Sequence, residues 1–383
     1  MESMKPERLE SLDILRGFDM FFIFLPDPVP CIVLTFLAMF GLEHSAFAAQ
    51  FDHCAWNGLH FYDCIFPLFL FISGVTFPFS YARQRDRGDS TARILLKILR
   101  RTVVLFLMGA MLWTTIDGVV EKNILSFEWS TFRVWSVIGR IGIAWGAAAL
   151  FYVFFGRKAR IAIVAAILVG MWMLMRFAVA PGAPEGVNPL FNRQWIWANW
   201  VDVNFLTTAH RGEGGVVTIT MVATAMFGNF AGEILSGEDD GRRCAKVVRL
   251  LLFAALLAVA GLLMASAFGD WSLPVNKPVW TSSFALVAGG ISAALLALFY
   301  WIVDVKGWRR WGFFFKVIGM NAITIYILMR TVFNWDFESA YFFGGICRFL
   351  SPEIGAFVTQ IGMIAIGWVF LCWLYRKNIF LRV

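Results

Sequence analysis

Long apolar stretches separated by short polar breaks run through the whole chain. Ten of them approach or exceed the roughly 20 residues that cross a hydrocarbon core. They lie near 14–40, 59–80, 95–116, 134–155, 160–180, 216–236, 247–268, 281–304, 312–330 and 354–375. This pattern predicts an all-α fold, a polytopic membrane helix bundle of about ten transmembrane helices, forming one domain over residues 1–383. The first stretch, "RGFDMFFIFLPDPVPCIVLTFLAMF", carries Pro26, Pro28 and Pro30 around Asp27. Prolines remove helix donors, so this is either a broken helix or a short span with an outer segment. The longest connection, near 181–215, contains "NRQWIWANW", whose tryptophans suit the interface belt of a membrane.

Composition agrees: 59% of the residues are hydrophobic and 15% charged, where a soluble domain carries about 25% charged. The opening "MESMKPERLE" is polar, and no small-residue cleavage site follows the first apolar run, so no cleaved signal is expected. A formal net charge of +7 raises nucleic acid as a partner, and the placement of the charge answers it. With the N-terminus cytoplasmic, "RQRDRGDSTAR", "GRKAR", "GRRCAKVVR", "KGWRR" and "RKNIFLRV" all fall on the cytoplasmic side. Only Lys122, Arg133, Arg140, Arg176, Arg193, Arg211, Lys277, Arg330 and Arg348 fall on the other. That bias fixes an even number of spans with N- and C-termini cytoplasmic, and no nucleic acid is needed to explain the charge. Six cysteines show no C-x-x-C pair and no metal spacing. Cys31, Cys54 and Cys347 fall on the outer side, where a disulfide is permitted but small apolar packing is the plainer reading. Small-x-x-x-small spacings permit a homodimer.

In so apolar a chain the polar letters of "FDHCAWNGLHFYDCIFP", at the outer end of the second span, stand out. On a helix His53, Asn57, His60 and Cys64 fall at i, i+4, i+7 and i+11, one narrow stripe flanked by Asp63. Such a stripe belongs against protein or a water-filled cavity. It reads either as interfacial capping or as a site in which histidine moves protons near neutral pH. Histidines at i and i+7 are not the i, i+4 pair of helical zinc sites, so no metal is expected. Asp13, Arg16 and Asp19 follow at i, i+3 and i+6, and Arg140 and Asp304 also enter apolar segments; packing pairs and functional groups both fit. The run Arg83, Arg85, Arg87, Arg93, Lys97, Arg100 and Arg101 reads as topological and lipid-facing, or as a surface for an anionic cofactor. In "WSLPVNKPVWTSSFAL" the stiffening Pro274 and Pro278 flank Asn276 and Lys277 at the mouth of the bundle.

The segments "RLESLDILRGFDMFFIF", "HCAWNGLHFYDCIFPLFLFISG", "VIGRIGIAW", "PVNKPVWTSSFAL" and "DVKGWRRWGFFFKVIGMNAITIYIL" occur in the order found in the heparan-α-glucosaminide N-acetyltransferase family, which the chain resembles. It looks like a bacterial member of that family's membrane domain. The resemblance implies acetyl-CoA as co-substrate from the cytoplasmic side, an amino sugar or similar acceptor at the periplasmic side, and residence in the bacterial inner membrane. It maps the family's catalytic histidine onto His53, and site-lining positions onto Asn57, Asp63, Asn276 and Lys277, with His60 as a neighbour. Asp27 stands where the family carries an Asn. Asp13, Arg16 and Arg140 map to the bundle interior. For the phosphates of CoA the basic residues to expect are Arg16, Arg100, Arg101, Arg140, Arg242 and Arg243. Asn57, Asn276 or Lys277 would stabilise the thioester oxyanion. The rival class is a transporter of amino sugars without CoA chemistry, and no inverted repeat is visible to support it.

Overall fold

The computed structural model describes residues 9–23, 28–119, 135–205, 214–237, 243–331 and 335–381; its regular elements are helices, with no β-strand among the described residues. In chain order the α-helices are α1 (Glu10–Phe22), α2 (Pro28–Ala38), α3 (Ile65–Asp86), α4 (Thr91–Val119), α5 (Val137–Phe154), α6 (Arg157–Phe177) and α7 (Trp197–Phe205). They continue as α8 (Thr218–Ser236), α9 (Arg243–Ser266), α10 (Ser282–Tyr300), α11 (Phe313–Met320), α12 (Ala322–Thr331), α13 (Trp335–Cys347) and α14 (Pro352–Arg376). Among the described residues seven helices are long and apolar enough to cross a membrane: α3 with its preceding 3-10 turn, α5, α6, α8, α9, α10 with its terminal π turn, and α14.

The differences from the sequence reading have local causes. The proline-rich first stretch is two helices, and Pro28 opens the second, at a position where its missing N–H costs nothing. The stretch 312–330 is also two helices, divided at Asn321. The buried Asn321 amide donates to the Val317 carbonyl (3.2 Å), a side-chain bond that competes with the helix ladder. Helices α7 and α13 lie in segments read as connections.

The bundle is built from the centre outwards. In its most apolar window α8 is 83% buried, against 22% for α9, so α8 is core and α9 presents its leucines outward as a lipid-facing helix does. Glycines let the central helices touch backbone to backbone: a Cβ at Gly74 of α3 would lie 2.1 Å from the Ala225 carbonyl, and one at Gly228 of α8 2.1 Å from that of Phe71. Helices α1 and α11 meet likewise, Gly319 fitting against the Asp13 carbonyl. This tight core leaves α1, α3, α4, α5 and α12 around an open interior.

Candidate active site

Residues 51–64 are not a helical stripe. The chain forms a 3-10 turn at Ala48–Phe51, an irregular loop, and a second 3-10 turn at Phe61–Cys64 that leads into α3. Asp63 is the reason. Its buried carboxylate accepts from the backbone N–H of His60 (3.0 Å) and of Cys54 (3.2 Å) through Oδ2, which curls the loop back onto the helix start. Gly58 completes the turn with φ +136, its N–H donating to the Val275 carbonyl (2.8 Å). A Cβ at Gly58 would sit 2.6 Å from Cys54 Sγ. His60 Nδ1 lies 2.9 Å from the Asp52 carbonyl, so His60 braces the loop.

The other carboxylate oxygen gathers a second polar cluster. Asp63 Oδ1 lies 2.8 Å from His53 Nδ1 and 3.3 Å from Lys277 Nζ. A carboxylate only accepts, so it fixes the ring proton on Nδ1 and leaves the lone pair on Nε2. Lys277 Nζ is 3.2 Å from Nε2 and 3.0 Å from Nδ1. The imidazole stacks on Tyr62 with centroids 4.7 Å apart, and half of the His53 side chain (52%) stays exposed over a carboxylate that is 1% exposed. A half-open base on a buried anion is the arrangement a proton-transfer site needs.

Lys277 is aimed by a stiff loop. The buried Asn276 accepts from the Val279 N–H (3.1 Å) through Oδ1 and donates to Asn57 Oδ1 (2.9 Å) through Nδ2. Asn57 donates in turn to the Leu190 carbonyl (3.4 Å). The two amides therefore staple three loops together. Trp280 closes the loop in a left-handed conformation (φ +47), a strained backbone held by burial of its indole and by donation to Thr224 Oγ1 (3.2 Å).

From this cluster a cavity of about 900 Å³ runs along α3. Phe66, Phe69, Ser73, Thr76, Ser80, Arg83 and Arg87 line it at helical spacing, a stripe spanning roughly 30 Å at about 1.5 Å per residue. That is close to the thickness of a hydrocarbon core, about 30 Å. His53 and Lys277 line one end, Arg83 and Arg87 the other, and Asp13, Arg16, Arg101 and Arg140 lie on its walls. Arg16 is 3.8 Å from Asp13, and the Arg101 guanidinium sits 4.2 Å over the Trp145 ring.

Of the residues singled out from sequence, His53, Asp63 and Lys277 come together and Arg16, Arg101 and Arg140 share their cavity. Asn57, His60 and Asn276 brace the loops around it. Arg100 is exposed on α4, away from the cavity lining, and Arg243 donates to the Asp304 carbonyl (2.8 Å). Asp27 and Arg242 lie outside the described residues. Sequence reasoning passed over Tyr62, whose signal was its place beside Asp63, and Asp202, a fully buried acid in the apolar run "IWANWVDVNF". Among the described residues no three His, Cys, Asp or Glu side chains gather as for a metal ion, and Cys54, Cys64, Cys244, Cys347 and Cys372 are free thiols.

No family model matches the chain. It is similar to the heparan-alpha-glucosaminide N-acetyltransferase of Homo sapiens, 24% identical over 438 aligned residues that cover 100% of this chain and 61% of the human protein. It is also similar to the Mus musculus protein of the same name, 24% identical over 336 residues that cover 74% of this chain and 50% of the mouse protein. The chain thus spans between half and two thirds of the length of these curated relatives.

Proposed function

We propose that this chain, a member of the heparan-alpha-glucosaminide N-acetyltransferase family, is a transmembrane acyltransferase that moves an acetyl group from acetyl-CoA to the amine of an amino sugar. The observation that carries this reading is the cavity that joins the His53–Asp63–Lys277 cluster to Arg83 and Arg87 across the length of α3. The residues suit the donor. Its phosphates carry negative charge that Arg83 and Arg87 at one mouth, and Arg16 and Arg101 further in, would pair with. The aromatic and aliphatic walls between them suit a neutral arm that brings a thioester towards His53.

The chemistry follows from the cluster. An amine attacks a thioester only when neutral, so a base must take its proton, and His53 Nε2 carries the lone pair that can take it. Asp63 holds the imidazole in that tautomer and stabilises the imidazolium that forms. On binding, the acceptor amine takes the place of Lys277 Nζ beside Nε2 (3.2 Å), while the ammonium keeps its ion pair with Asp63 Oδ1 (3.3 Å). Transfer is direct, from sulfur to nitrogen, and the imidazolium returns its proton to the departing thiolate. In a bacterium the arginine mouth would open to the cytoplasm and His53 to the periplasm.

The test is thiol release from acetyl-CoA with glucosamine as acceptor, for purified wild type and His53→Ala. Release by wild type that falls by about 10²-fold or more in the variant fits the loss of a general base. A protein that neither binds CoA nor releases thiol, yet carries sugar into liposomes, would be a transporter instead.

A further inference from the structure

Attack on a thioester puts negative charge on the carbonyl oxygen, inside an apolar bundle where a fixed donor is worth most. The groups closest to His53 are occupied. The Asn57 and Asn276 amides bond to each other and to backbone groups of their loops, and the Lys277 ammonium faces His53 and Asp63. Further along the wall is Arg140. It lies in the first turn of α5, 2% exposed, and lines the cavity. Its guanidinium carbon stands 5.4 Å over the ring of Phe66. Phe66 is one helical turn from Tyr62, the ring on which His53 stacks. Arg140 is therefore displaced from the base towards the arginine mouth, on the cavity wall between the two.

Asp202 of α7 lies close enough to Arg140 for the two charges to act on each other. That carboxylate is fully buried and accepts from the Val216 N–H (3.2 Å) through Oδ1. It also packs on the backbone at Gly214, where a Cβ would lie 1.9 Å from it. Burial raises the Asp202 carboxyl above its ordinary value, while the N–H groups of Val216, Gly215 and Gly214 and the Arg140 charge oppose that rise. One acid thus clasps the segment entering α8 and faces the charge of a cavity-lining guanidinium.

We propose that Arg140 is a catalytic residue that donates to the thioester carbonyl oxygen as it becomes an oxyanion, and that Asp202 is the positioning residue that aims it. The proposal rests on the acyl-transfer reading and adds a group to it. The amine lone pair forms the C–N bond, the carbonyl π pair moves onto the oxygen facing Arg140, and His53 Nε2 takes the amine proton. The pair then returns, the C–S bond breaks, and the thiolate leaves with the proton from the imidazolium. Arg140 keeps its own protons throughout and acts by charge and hydrogen bonding alone.

Steady-state kinetics of the full chain in detergent test this with Arg140→Gln, Arg140→Lys and Asp202→Asn. Removing one oxyanion donor costs about 10²–10³-fold in kcat, so Arg140→Gln is expected to fall by that factor with the KM for acetyl-CoA nearly unchanged. Arg140→Lys should retain part of the activity and Asp202→Asn should lose less than Arg140→Gln. A second measurement does not need turnover: in a His53→Ala background, the carbonyl stretch of bound 13C-labelled acetyl-CoA is displaced to lower frequency with Arg140 present and returns towards its free value in Arg140→Gln. An unchanged kcat, an unchanged carbonyl stretch, or a loss confined to KM would overturn the proposal. If wild type itself fails to release thiol, the acyl-transfer reading fails first, and the two failures are distinguished.

Discussion

Asp63 divides its two oxygens between two tasks: one curls the loop through the His60 and Cys54 N–H groups, the other faces His53 and Lys277. Asp63→Asn keeps the shape but supplies an amide that can donate to Nδ1 and so moves the ring proton to Nε2, the wrong tautomer for a base. A tautomer error of this kind costs on the order of 10⁴-fold in a serine protease triad. We expect Asp63→Asn to lose about 10³-fold or more in kcat while acetyl-CoA binding, measured by calorimetry, is retained; activity within a few-fold of wild type would contradict the assigned role. The sequence revealed these residues because polar side chains are scarce in it. It did not reveal their arrangement: helical spacing put His53, Asn57, His60 and Cys64 on one stripe, whereas the Asp63 carboxylate and Gly58 turn the segment into a loop. The geometry follows from side-chain bonds to backbone, which periodicity does not encode.

Among the helices, prolines made the division of α1 from α2 legible, while the division at Asn321 left a weaker trace in the sequence. Helix contacts explain where the core lies. Gly228→Leu would drive a side chain into the α3 backbone at the Phe71 carbonyl, so its thermal midpoint in detergent should fall well below wild type or the protein should fail to fold. A wild-type midpoint would contradict the close α3–α8 crossing. At the start of α4, hydrogen bonds from Lys97 (2.6 Å) and then Arg93 (2.9 Å) hold Asp89 below the ordinary carboxylate value. A folded pKa below the unfolded one, about 3.9, gives stability that is present above the unfolded value and lost as pH falls through the folded one. Thermal unfolding followed from pH 6 to pH 3 should therefore drop more steeply in wild type than in Asp89→Asn, and parallel curves would remove this contribution.

At the scale of the whole molecule, the basic bias along the chain predicted which connections share a side, and hydropathy predicted a membrane bundle. Neither says which arginines face inwards. Arg83 and Arg87 reach the cavity mouth because they continue the stripe of Ser73, Thr76 and Ser80, while Arg93 and Lys97 are turned to Asp89. That selection depends on how α3 is rotated against α1 and α5, a property of packing among distant segments. The central claim is that one cavity lets a donor on one side of the membrane acetylate an acceptor on the other through His53. It is tested most directly in proteoliposomes with glucosamine sealed inside and acetyl-labelled CoA added outside, followed by the appearance of labelled N-acetylglucosamine in the lumen. The account predicts lumenal product with wild type and a loss of about 10²-fold or more with His53→Ala. Product formed only when donor and acceptor share a side, or formed equally by the variant, would contradict it.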